Sequence, residues 1–130
     1  MMPTLATGRI VWAQIADANG IRKLRPAVIV TRADRLLSDQ PISVVAVTSR
    51  LVNPLPADHV LLPWHRDGHP RTGLNRRCAA VCTWMAQILE SDIEDAAGIV
   101  PSSQMAEILA KIAAAGAPPS FPAKPSDSAS

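Results

Sequence analysis

The sequence predicts a mainly β protein, a small antiparallel sheet or barrel closed by one C-terminal helix. Three observations predict it. Short runs rich in β-branched residues recur without long helices between them, and one clear helical stripe comes late in the chain. At 130 residues the chain is long enough for one core and too short for two.

The elements follow in order. GRIVWAQIA (8–16) sets Ile10, Trp12 and Gln14 on one side and Val11, Ala13 and Ile15 on the other, a strand with both faces largely apolar. DANG (17–20) is a turn. PAVIVT (26–31) and PISVVAVTS (41–49) are β-branched strands, and TRADRLLSDQ between them has room for one or two helical turns. NPLPAD is a second turn segment, DHVLLPW (58–64) a weak strand ending at Pro63, and HRDGHPRTG (65–73) a loop by its Gly, Pro and charge. CAAVCTWMAQIL (78–89) is the last strand-like run, long enough to bend into two. From SDIEDAAG onward the pattern turns helical. Pro101-Ser102-Ser103 is a start signal, Met105, Ile108, Leu109 and Ile112 form an apolar stripe, and Gly116 is the stop. This gives about five strands in a domain over residues 1–115. The remainder, 116–130, is dominated by Pro, Ser and Ala and is expected to be disordered, because it cannot bury enough surface to offset its ordering entropy.

Composition narrows the class. Hydrophobic residues make up 48% of the chain, yet no uncharged apolar run approaches the roughly 18 residues that span a bilayer. MMPTLATGR has no basic region followed by a long apolar stretch, so the reading is a soluble, cytoplasmic protein without a membrane partner. Cys78 and Cys82 have no further Cys or suitably spaced His and make no zinc site; on a strand both would point to one buried face. Charge is unevenly placed. Residues 1–77 hold eleven Lys/Arg against five Asp/Glu, a net +6, and residues 78–115 hold one Lys against five acids, a net −4. An anionic partner for the front of the protein accounts for this, and so does an unevenly charged solvated surface.

The chemistry-bearing residues cluster in that front half. In NGIRKLRPAVIVT (19–31), Pro26 fixes its own φ and pushes Arg25 out of the helical region, so a strand starting there would hold a guanidinium at a sheet edge. Such a fork suits a phosphate, although an exposed arginine at a loop–strand junction is also ordinary. VVAVTSR (44–50) ends a buried strand in Thr48 and Ser49, two hydroxyls able to donate to phosphate oxygens. His59, His65 and His69 are either proton shuttles or solvated loop residues. His65, Arg66 and Arg71 share a basic loop, close to Arg76 and Arg77, that would suit an RNA backbone, with Arg22 and Lys23 adding less specific attraction. Trp64 could stack on a base; Trp12 reads as core or dimer interface.

GRIVWAQI, NGIRKLRPAVIVT, VVAVTSR, HVLLP, TGL and GIVPSSQMAEILAKI, in that order, resemble the MazF/PemK family of toxins over about residues 8–113. The resemblance implies an SH3-like, CcdB-like small barrel and a homodimer that cuts single-stranded RNA without metal or other cofactor and is neutralised by a cognate antitoxin. It also implies catalytic roles for Arg25, at the scissile phosphate, and for Thr48, with Ser49 beside it. The family's loop glutamate falls on Gly20, with no acid nearer than Asp17, and the arginine and aspartate of one branch fall on Val81 and Thr83. An alternative is a protein-targeting toxin of the same fold, like the gyrase inhibitors, or a binding homologue without activity.

Overall fold

The computed structural model describes residues 5–17, 19–32, 36 and 40–115. Among these residues, six strands and one helix run in the order β1 (Arg9–Ala16), β2 (Arg22–Ile29), β3 (Ile42–Thr48), β4 (His59–Leu61), β5 (Ala79–Ile88), β6 (Ile93–Ile99) and α1 (Ser102–Ala114), with a short 3₁₀ turn before β6. All pairings are antiparallel, in the spatial order β4-β5-β3-β2-β1-β6. The expected β class and terminal helix are present. The sheet is curled but not closed, since β4 and β6 remain its two edges, so "barrel" describes its curvature only.

Alternation along the inner strands explains why both faces are apolar. Ile10, Val28 and Val45 face one cluster, where Met105 and Ile108 of α1 cover them. Val11, Ala27, Ile29 and Val44 face a second, which the sheet closes against itself with Ile15, Ile42, Ile88 and Ile93. The curl is visible in one bond. Trp84 on β5 donates its indole N–H to the carbonyl of Ala16 on β1 at 3.1 Å, although β3 and β2 lie between those strands. Cys78 and Cys82 share the first cluster, and burial pushes both thiols up to about 11.

Several boundaries differ from expectation. The segment from SDIEDAAG contains a sixth strand, IEDAAGI, where helix was expected. It is an edge strand with exposed Glu94 and Asp95, held by pairing to β1, so tertiary pairing overrides a weak local pattern. DHVLLPW supplies only three strand residues. The expected bend in CAAVCTWMAQIL is a bulge: β5 pairs Val45 with Met85 but Val47 with Ala80, which turns Trp84 toward the second cluster while Cys82 faces the first. The helix starts at Ser102 with Pro101 at its N-cap and no hydroxyl cap; Leu109, expected on the apolar stripe, is 44% exposed. The helical turns expected within TRADRLLSDQ, the stop at Gly116 and the tail 116–130 lie outside the described residues.

Candidate functional site

β2 begins at Arg22, four residues before Pro26, so Arg25 lies inside the strand and not at its start. The proline nonetheless shapes what lies beside the arginine. β2 sends hydrogen bonds to β3 from every second residue: Val30 N–H donates to the Ser43 carbonyl at 2.9 Å, and positions 28 and 26 come next. Position 26 has no N–H to give. The β2–β3 pairing accordingly covers only Ala27 to Ile29, while β1 pairs with β2 all the way to Arg22. The first half of β2 is therefore a local edge inside the sheet, the setting expected for Arg25.

A cleft of about 530 Å³ opens there. Leu24, Arg25 and Pro26 form one wall, Thr48, Ser49 and Arg50 the other, and Arg76 approaches from the 65–78 loop. The β2–β3 register, carried two residues past its last pair, sets Arg25 opposite Thr48. Thr48 Oγ1 accepts the Arg50 N–H at 3.1 Å and keeps its own proton free to donate. Among the described residues, three arginines line the cleft and no carboxylate does, so their field favours an anion.

Arg25 is tethered on its far side. Its Nε–H donates to the Ile15 carbonyl at 3.2 Å, a terminal nitrogen lies 3.7 Å from Asp17 Oδ2, and the guanidinium stands over the Trp84 ring, 4.9 Å from the ring centre. Asp17 Oδ1 accepts the N–H groups of Asn19 and Ile21 at 2.9 and 3.0 Å. These contacts, the Ile21 N–H foremost, then Asn19 and the Arg25 charge, hold the Asp17 carboxyl below its usual range.

The loop that carries Arg76 is built, not loose. Thr72 is fully buried, its hydroxyl donating to the Pro63 carbonyl at 2.8 Å and accepting the Leu74 N–H. Gly98 on β6 lets the loop backbone approach: a Cβ there would sit 1.8 Å from the Arg71 carbonyl oxygen. The loop turns Arg76 and Asn75 into the cleft and keeps His65, Arg66 and Arg71 out of its lining. His65 and His69 each accept a backbone N–H at Nδ1, from Asp67 and Arg71 respectively. His59 lies outside the cleft lining too, its Nδ1 bonded to Asp58, whose other oxygen accepts from Thr83.

Of the residues singled out from sequence, the fold brings Arg25, Thr48, Ser49 and Arg76 together. Arg22 and Lys23 are exposed on the same stretch of β2, outside the lining. Arg50, the cation that closes VVAVTSR, joins the cleft, together with Leu24 and Asn75, which the sequence did not single out. Trp12 lines the cleft through its pairing with Pro26, while Trp64 does not reach it. Proline opposite an aromatic on a neighbouring strand was the available signal. Among the described residues, no three His, Cys, Asp or Glu side chains gather where they could hold a metal ion.

An arginine-rich cleft at the end of a proline-interrupted ladder, on a curled six-stranded sheet with one terminal helix, defines the class. Over residues 6–115 the chain matches, and belongs to, the family of PemK-like, MazF-like toxins of type II toxin–antitoxin systems. Among solved structures it resembles the Mycobacterium tuberculosis toxin MazF-mt6, with 23% identity over 83% of this chain and 95% of that one and a TM-score of 0.62. It also resembles MazF from Deinococcus radiodurans, with 18% identity, 87% and 96% coverage and a TM-score of 0.68. A mycobacterial endoribonuclease in complex with its cognate antitoxin aligns at 17% identity over 88% and 94%, with a TM-score of 0.59. These likenesses establish the fold. No curated protein matches the chain by sequence.

Proposed function

We propose that this toxin is an endoribonuclease that cuts single-stranded RNA in the β2–β3 cleft without a metal ion. The observation that carries the reading is the juxtaposition of Arg25 and Thr48 where Pro26 ends the ladder, in a cleft lined, among the described residues, by three arginines and no acid. Attack by the ribose 2′-hydroxyl on the adjacent phosphate needs a proton removed from the nucleophile, a proton given to the leaving oxygen and charge stabilised at phosphorus. Arg25 meets the third need and can donate a proton-bearing fork to the phosphate. Thr48 donates its free hydroxyl proton to a phosphate oxygen, with Ser49 beside it. Arg76 and Arg50 hold flanking phosphates, and Trp12 and Leu24 offer an apolar wall to a base. Arg22, Lys23, Arg66 and Arg71 add long-range attraction from outside the cleft, and His65 beside them offers a hydrogen bond to the RNA backbone.

The family and the solved toxin–antitoxin complexes support a cognate antitoxin as protein partner, and the reading includes a homodimer in the cytoplasm. The test is incubation of the antitoxin-free protein with a long single-stranded RNA in EDTA, with both fragment ends mapped. Discrete cuts leaving a cyclic phosphate on one fragment and a 5′-hydroxyl on the other are expected. Intact RNA beside folded protein would overturn the reading and favour a toxin that acts on a protein target.

A further inference from the structure

Three consecutive residues at the end of β1 grip one pair of side chains. The Ile15 carbonyl takes the Arg25 Nε–H, the Ala16 carbonyl takes the Trp84 indole N–H, and the Asp17 carboxylate faces the Arg25 terminal nitrogen. Trp84 in turn lies under the guanidinium. We propose that Asp17 and Trp84 are positioning residues for Arg25, fixing the guanidinium so that its remaining donors meet the phosphate in one geometry. This rests on the reading of Arg25 as the phosphate-binding group.

The physical case is one of degrees of freedom. Arginine has many rotamers, and a side chain that must find its geometry at each encounter forfeits part of its catalytic contribution. Here the Nε–H, the ring face and the anion restrain three different parts of the group. Five N–H donors are available, one is used by Ile15, and those directed away from Asp17 stay open for a ligand. Asp17 is itself fixed. One of its oxygens closes the 17–21 turn through two backbone N–H groups, and the other points at Arg25.

Asp17 does not act here as the base. Its carboxyl is held below the ordinary range by those N–H groups and by Arg25, so it stays ionised through neutral pH and is a poor proton acceptor. Its contribution is a fixed negative charge. Position 20, where the resemblance places a glutamate, is glycine, and the nearest acid has been recruited to hold the arginine instead.

The experiment separates this role from simple turn formation. Asp17→Asn keeps a side-chain oxygen able to accept from Asn19 and Ile21 while removing the charge. On a single-stranded RNA substrate, Asp17→Asn should lower kcat about tenfold and leave KM equal or smaller, because a charge that repels RNA is gone. Trp84→Leu should also lower kcat. A second readout needs no activity. The Arg25 Nε–H resonance, assigned by its loss in Arg25→Ala, should be resolved and slowly exchanging in the wild type and broadened or shifted in Asp17→Asn.

Both wild-type kinetics and an unchanged resonance in Asp17→Asn would overturn the proposal. Should the wild type leave RNA intact, the ribonuclease reading fails alone. The resonance then decides this inference: its loss in Asp17→Asn upholds the clamp, and its persistence overturns it.

Discussion

The two halves of β2 differ in how many neighbours they have. Ala27 and Val28 are paired on both sides, Ile29 is paired with β3, and the side chains of all three are fully buried. From Arg22 to Arg25 it is paired only with β1, and its side chains are exposed or half-buried. One residue, Pro26, stands at the change. The comparison teaches that a rigid mount and an open site can be consecutive parts of one strand. The buried half fixes the backbone, and the unpaired half aims a cation into the space that the missing pairing leaves.

That contrast can be broken from either side. The largest effect should come from the mount. Ile29→Ala empties a fully buried position and should lower stability by about 2–5 kcal/mol, seen as a shifted denaturant midpoint. Folded molecules of this variant should still bind RNA. Next is the boundary. Pro26→Ala restores an N–H at the position that faces β3, and one further ladder bond is worth about 1 kcal/mol. The new amide should be protected in hydrogen exchange, and RNA cleavage should fall several-fold as the cleft narrows. An unprotected amide at position 26 would mean that something other than proline ends the ladder. The smallest effects belong to the flanking arginines. Arg50→Ala and Arg76→Ala should each reduce the salt dependence of RNA binding by about 0.7 in the slope of log K against log salt, with a modest loss of affinity. The same change at Arg66, outside the cleft lining, should leave the slope nearer its original value.

Much of the mount was legible in the sequence. β-branched runs announced β1, the buried half of β2 and β3, and the spacing of Met105, Ile108 and Ile112 announced the helix. β6 was not legible, because Glu94 and Asp95 interrupt any apolar alternation and only pairing with β1 makes IEDAAGI a strand. Arg25 and Thr48 could be chosen from the arginine-proline pair, the strand end and the family resemblance. How the fold builds the edge beside Arg25 could not be read. Whether position 26 bonds to β1 or β3 depends on register, and the curl that brings Trp84 to Ala16 across two strands has no local signature. For the same reason Asp17 read as a turn residue, and its second oxygen, facing Arg25, became visible only in the folded chain.

The central claim is that Arg25 on the unpaired half of β2 stabilises the cleaved phosphate. Its most direct test is single-turnover cleavage of a single-stranded RNA by the wild type and Arg25→Ala, with thermal unfolding of both proteins measured alongside. The account predicts a loss of about 10²-fold or more in rate, as removal of one charge-stabilising donor typically costs, with the melting temperature within a few degrees of the wild type. Equal cleavage rates in the two proteins would contradict it.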